Sequence, residues 1–585
     1  MLSRLWKIVE WVFGPGPTCG PGHLWPRWLF LRALGLIFFS AFYSLLYQIQ
    51  GLIGPQGILP AGEYLARVAE HFGPLRFWFA PTLLWLASGS TALGLIVWAG
   101  LLASVLLVCN FWPRGAIAIC LISYLSFIAA AQDFASYQSD GMLLATGFVC
   151  LFFAPPGLVP RLGEADPPSR ATLFLLLWEW FRIYFESGLV KMLSHDQQWR
   201  SLTALDHYYE NGPLPNWIGW YVQQLPHGFH AVVTLVTLAV ELGVVWLAVL
   251  PRRFRILCFL IVTPFQVAII LTANLAFINH LSLALGVLLI DDRFLKWVVG
   301  PLARRLEARR TRHEPAAEEA ATAMPVAKPP LNAAAAAPIE ANAEEGISRT
   351  MARAGVPMFA VLESASGLGL RPLWSLVICH LSLVLKLLLL TWIFYVTAAY
   401  LLLMIVPGVP LWSRPIVALE PFRIANQYGL FAVMTTARYE IEFQGTRDGT
   451  TWTLYPFKYK PQDPRQAPRV YAPYQPRFDW NLWFASLGNW RQYEWVVLTE
   501  VRLLENSSSV LKLFAGNPFD GRPPRAVRAV VWQYWFTDLA TKRREGLWWN
   551  HKLIGLYAPA AERLPDGSIG IVGEPEPEAH SEGPR

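Results

Sequence analysis

The chain has 585 residues, 54% of them hydrophobic and 15% charged, with a formal net charge of +7. That charge density lies well below the roughly 25% of an ordinary soluble domain, and abundant Trp and Phe suit helices that meet membrane interfaces, so a soluble globular class is excluded. The basic excess falls in loops between apolar runs, which speaks for membrane topology and against nucleic acid as a partner, and the cysteines contain no CxxC pair, which speaks against a zinc or thiol-redox centre.

Residues 1–298 read as a multi-span membrane domain. The first apolar run, 29–49, lacks a small-residue cleavage site and is expected to stay as a signal anchor. Residues 54–79 carry turn residues and then an amphipathic helix expected on the membrane surface. Further spans are expected at 84–109, 115–131 and 142–154, the last two short; Asp140 stands at the mouth of the last, as an N-cap or an outer-face group. The fifth span, 172–193, holds Glu179, Arg182, Glu186 and Lys191. The first three share one helix face. With Glu241 of the sixth span, 229–250, they form a candidate intramembrane polar cluster. Ionisable groups at such depth are costly, and they mark either structural ion pairs or a functional cavity. Between these spans lies an aromatic, proline-turned loop, where Trp199, Arg200, Tyr208, Pro213, Pro215, Asn216 and Trp217 are candidate outer-face binding residues. Asn274, at the tip of a hairpin of spans 254–271 and 275–290, is another.

Residues 299–357 are Ala/Pro/Glu-rich and are expected to be a disordered linker. Residues 358–407 hold an interfacial segment and a last span at 381–406. Residues 408–560 alternate like strands around an Asp448-Gly449 turn, and 561–585 read as a disordered tail. The fold class expected is therefore a polytopic α-helical membrane protein of about nine spans, followed by a soluble, sheet-containing α+β domain. Placing Arg4, Lys7, Arg114, Arg161, Arg170, Arg252, Arg253, Arg255 and the 304–312 arginines in the cytoplasm puts the C-terminal domain outside.

No nucleotide-binding, serine-hydrolase or metalloprotease signature is present. A metal site from His207, Glu210 and His280 has little to recommend it, and neither metal nor cofactor is expected. Lys191, near the end of an apolar helix, is the candidate base, against the plainer reading that it snorkels to the lipid headgroups.

The strings FESGLVKM, WRSLTALDHYYENGPLPNW, SDGMLLATGF, FQVAIILTANLAFINHLSL, NQYGLFAVMTTARYEIEFQG and PRFDWNLWFA resemble the lipase maturation factor family, over most of the chain apart from the tails and one linker. The resemblance implies a factor that assists folding or assembly of secreted lipases from the extracytoplasmic or lumenal side. Its partners would be membrane lipids and client secreted proteins. The membrane would be the plasma membrane in a bacterium and the endoplasmic reticulum in a eukaryote. ESGLVKML also distantly resembles the membrane domain of vitamin K-dependent carboxylases, which carry a catalytic lysine at the matching place. That implies the alternative of an enzyme acting on a lipid-like substrate, with Lys191 as base and His207 or Glu210 assisting.

Overall fold

The computed structural model describes residues 22–135, 137–301 and 371–573, with Lys7 and Val12. Apart from 299–301, the expected linker lies outside these residues, as do the interfacial segment to 370, Arg4 and everything after Gly573. Met1–Arg293 and Leu389–Arg585 form one compact unit, and Phe294–Leu388 form a second, described only at 294–301 and 371–388.

In the first unit Leu24–Ile53 (α1) is the central helix, with Phe30, Leu34, Phe38, Phe42 and Leu45 fully buried. Asp292 starts it, accepting the backbone N–H groups of Leu24 at 3.1 Å and Trp25 at 2.8 Å, where the helix dipole favours a carboxylate. Ala61–Phe72 (α2) is the amphipathic helix. Ser90–Val108 (α3) packs along α1 so closely that a Cβ on Gly100 would lie 2.2 Å from the Phe42 ring. Small residues permit this approach between apolar helices.

Pro113–Ile128 (α4) and Gln138–Phe153 (α5) have 16 residues each, about 24 Å of helix against a core of ~30 Å. Arg170–Leu193 (α6) is long enough but highly charged. After it come Ala204–Asn211 (α7), Trp217–Gln223 (α8), His227–Leu242 (α9), Arg252–Thr272 (α10) and Ile278–Gly286 (α11). Arg371–Ile405 (α12) ends the helical region.

Five helices among the described residues are long and apolar enough to cross a membrane, short of the expected nine. Of the other four expected spans, α4, α5 and α11 are apolar but short and α6 carries too many charges; α5 is covered on nearly every side, so it needs neither full span length nor a lipid-facing surface.

The basic loops are tied together at one end of the bundle. Arg114 pairs with Asp166 at 2.8 Å, Asn110 donates to the Arg161 carbonyl at 2.7 Å, and Arg27 donates to the carbonyls of Asp166 and Leu162 at 2.7 and 2.8 Å. Arg252 pairs there with Asp291, next to the residue that caps α1.

The C-terminal region carries an antiparallel sheet. Arg438–Thr446 (β1), Thr453–Leu454 (β2), Ala526–Phe536 (β3), Trp549–Leu556 (β4), Ala560–Arg563 (β5) and Ile569–Val572 (β6) run in the order β2-β1-β3-β5-β6, with β4 also on β3. Register is set by Arg438↔Tyr534 through Thr446↔Ala526. Arg477–Ser486 (α13) and Trp495–Leu504 (α14) cover one face over Phe443, Val527 and Ala529. At the Asp448-Gly449 turn the Asp448 carboxylate accepts from the Thr450 and Thr451 amides, and Gly449 takes φ +79°. The expected tail is corrected at its start: β5 and β6 extend the sheet to Val572, because Ala561 and Ile569 still have apolar surface to pack against.

Candidate functional site

On α6 the spacing of the charges does what the helix period requires. Arg182 Nε lies 2.7 Å from Glu186 Oε1, and a terminal nitrogen lies 3.2 Å from Glu179 Oε2, all with side chains essentially sealed from solvent. The rest of the cluster comes from far along the chain. Tyr428 donates its backbone N–H to Glu186 at 2.7 Å and its hydroxyl to Glu179, and Arg182 donates to the Asn426 carbonyl. Residues 426–435 thus form a strap along α6 and the loop after it. Gln138 accepts the Gly429 amide at 3.0 Å, Ser194 donates to the Ala432 carbonyl at 2.7 Å, and Asp196 accepts the Met434 amide at 2.8 Å.

Glu241 does not join that cluster. It faces Lys191, whose Nζ is 2.9 and 2.8 Å from its two oxygens and 3.3 Å from the Ser187 carbonyl. These three contacts engage all three ammonium protons. Lys191 is therefore an inward-facing cation, 2% exposed, and does not snorkel. Neither His207 nor Glu210 lines the cavity around it. The Glu210 carboxylate accepts the Phe536 amide at 2.8 Å; burial pushes that carboxyl up and the amide pulls it back. No group of three His, Cys, Asp or Glu among the described residues is placed to hold a metal ion.

Most of the expected outer-face residues hold this chain's own C-terminal region. Asp140 accepts two Arg477 nitrogens at 2.7 and 2.8 Å, with Tyr124 hydroxyl on the same carboxylate at 2.6 Å. Trp199 donates to the Phe431 carbonyl at 2.9 Å, and the Tyr208 ring lies edge-on to Phe431 at 5.3 Å. The Pro213 carbonyl accepts from Arg438 at 3.1 Å. Asn274 accepts the Tyr471 amide and donates to the Arg469 carbonyl, both at 2.7 Å. Pro215 bridges to Ala273, while Asn216 caps α8 through the Gly219 amide at 2.8 Å and ties it to the Leu271 carbonyl. Arg200, beside His195, and Trp217 remain exposed.

Arg477, Tyr428 and Gln48 were missed by the sequence reasoning. Gln48 donates to the Gln475 carbonyl at 3.0 Å from inside α1. The available signals were a glutamine within a long apolar helix and an arginine within an aromatic one; their partners lie hundreds of residues away.

Two cavities adjoin this junction. The first, about 370 Å³, lies between the strap, α7 and α13, with Val433, Met434, Trp480, Trp483, Phe484 and Leu487 in its wall. The second, about 330 Å³, lies among α6, α9, α10 and α11 around the Lys191–Glu241 pair. Tyr208, Leu275, Ile278, Leu430 and Phe431 line both. Both volumes fall in the range of small-molecule sites.

Taken together, these features define an integral membrane protein whose sheet-bearing C-terminal region is bolted onto its helical bundle, with apolar cavities at and below the joint. The family model for the lipase maturation factor transmembrane domain matches residues 25–297, and that for the lipase maturation factor C-terminal domain matches 424–559. The chain belongs to the lipase maturation factor family. It is 31% identical to mouse lipase maturation factor 1 over 559 residues, covering 92% of this chain and 87% of that protein. It is 30% identical to the Bos taurus lipase maturation factor 1, covering 93% and 90%, and 31% identical to mouse lipase maturation factor 2, covering 92% and 83%. No solved structure matches the chain.

Proposed function

We propose that this chain is a membrane-embedded maturation factor that assists folding or assembly of secreted lipases or related exported proteins. It works from the face bearing the C-terminal domain, which is the extracytoplasmic or lumenal one. The observation that carries this reading is the crevice between strap and α13. Its aromatic and methionine wall offers an adaptable apolar surface at the joint, with Val433 and Leu487 exposed at its rim. Such a surface suits transient contact with apolar segments that a client has not yet buried. Sidedness is supported by the basic loops around Arg114, Arg161 and Arg252, which gather at the opposite end.

The test is co-expression with a secreted lipase while Val433→Asp and Leu487→Asp are introduced singly. Both positions are exposed, so the factor itself should accumulate normally. Active secreted lipase should fall severalfold while lipase synthesis is unchanged. Undiminished secretion of active lipase from both variants would overturn the reading.

A further inference from the structure

The second cavity has features that the maturation reading does not use. Its wall is mostly hydrocarbon: Ile183, Leu205, Val233, Phe265, Ile269 and Leu275. Two of its four helices, α9 and α10, bury few residues inside the protein, and Val232, Leu235, Leu257 and Leu260 on them are exposed. The cavity is therefore screened from the surrounding lipid by a single thin layer. Phe229, in its wall, is 42% exposed, which marks a way in between cavity and surroundings. An apolar hollow of this size, left empty, forfeits packing contacts along its whole lining, and a bilayer supplies acyl chains at its edge.

The polar part of the lining specifies a head group. Lys191 and Glu241 neutralise each other, and the ammonium has no proton to spare. Beside them runs a second chain of polar groups. Asn279 donates to Gln266 at 2.8 Å, and Gln266 donates to the Tyr184 hydroxyl at 2.6 Å. Among the described residues Asn279 Oδ1 is buried without a partner, and Tyr184 keeps its own hydroxyl proton to give. An acceptor at the Asn279 end of this chain and a donor at the Tyr184 end, with Gln266 between them, suit a head group that carries more than one hydroxyl, since a hydroxyl both gives and receives bonds. A carboxylate head has no donor use for the Asn279 oxygen and would lie near Glu241.

We infer that this cavity is a lipid-binding site for a neutral, single-chain, hydroxyl-bearing lipid of the monoacylglycerol type. The chain lies between α9, α10 and α11, and the two hydroxyls of the glycerol head meet Asn279 and Tyr184, one each. The site shares Tyr208, Leu275, Ile278, Leu430 and Phe431 with the crevice between strap and α13, but its polar groups, Lys191, Glu241, Gln266 and Asn279, line this cavity and not the crevice.

The test uses the full-length protein purified in detergent and radiolabelled 1-monooleoylglycerol, with unlabelled oleate as competitor. Saturable binding near one per chain is expected, together with a rise in the thermal midpoint on adding the lipid. Ala268→Trp, which fills the cavity, should lower binding at least about tenfold, and Asn279→Leu, which removes one hydrogen bond, about fivefold. Val433→Trp, in the other cavity, should bind as the parent does. If Ala268→Trp fails to fold, Ile269→Trp takes its place. Absence of saturable binding and of any thermal shift in the parent protein would overturn the proposal. So would undiminished binding by the filled-cavity variant, or oleate competing better than unlabelled monooleoylglycerol.

Discussion

Replacing Arg477 by Met removes the strongest polar bolt between the two regions. The guanidinium lies at 0% side-chain exposure and makes bonds of 2.7 and 2.8 Å to Asp140, 2.8 Å to the Tyr124 hydroxyl and 2.9 Å to the Phe134 carbonyl. With Met in its place, Asp140 keeps, among the described residues, the Tyr124 hydroxyl, in a site buried from solvent. Breaking one side of a buried pair costs about 3–5 kcal/mol, most of it the penalty on the charge left behind. Replacing both partners by apolar groups removes that penalty, so Asp140→Leu combined with Arg477→Met should cost well below the sum of the singles. The assay is denaturant unfolding of the purified protein in mild detergent, following tryptophan fluorescence, with folded yield by size exclusion. A single-variant loss under about 1 kcal/mol, or a double variant as poor as the sum, would refute the claim that this arginine is the carboxylate's main partner.

Arg182→Leu strands two carboxylates at once, leaving Tyr428 to hold both, so folded yield should fall sharply and be partly restored by adding Glu186→Gln; normal yield of the single variant would count against the strap. For sidedness, cysteines introduced at Val159 and Arg543 should label from opposite faces of intact cells, Arg543→Cys alone from outside; native Cys109, exposed beside the basic loops, should stay unlabelled. Burial pushes the Asp479 carboxyl up to about 7 despite Lys460 and the Tyr459 and Lys460 amides, whereas an unfolded aspartate titrates near ~4. The folded state therefore holds the extra proton between those values, and stability should fall as pH rises through that window. Asp479→Asn should flatten the decline measured by denaturant titration from pH 5 to 8; an unchanged slope would assign it elsewhere.

The membrane class, the charged face of α6 and the sheet around Asp448-Gly449 were legible because each rests on local period or local turn chemistry. Glu179, Arg182 and Glu186 fall on one face by spacing alone, and that face is what the strap covers. The shortness of α5 was visible in the sequence but its meaning was not, because hydropathy counts apolar residues without asking what covers them; a helix buried by its neighbours can be short. Glu241 was grouped with Glu179, Arg182 and Glu186, and it faces inward but pairs with Lys191 instead. Its depth within its span was readable, but its rotation toward Lys191 depends on how α9 packs on α6. The residues expected at an outer face were picked out as a group, but the segment that most of them contact was not. Nothing local to Asp140 or Asn274 says that their partners are Arg477 and the Tyr471 amide.

That segment bears on why the charges in α6 persist at all. A buried ion pair adds little stability over an apolar core of the same shape. It does penalise any arrangement in which the partner is missing. Here the missing partner would be the strap: without residues 426–430, Glu179 loses a hydroxyl and Glu186 an amide. The charges thus couple the state of the bundle to the seating of the C-terminal region. The crevice between strap and α13 exists only in the seated form, since Leu430, Phe431 and Met434 build one wall and Trp480 and Trp483 the other. A variant that keeps α6 apolar, with Glu179, Arg182 and Glu186 all changed to aliphatic residues, should therefore insert and accumulate well yet lose the crevice in a larger share of molecules. Accessibility of a cysteine placed at Met434, buried in the parent, should then rise in step with any loss of client maturation. Accessibility at parent level in that variant would mean that the strap seats without the charges.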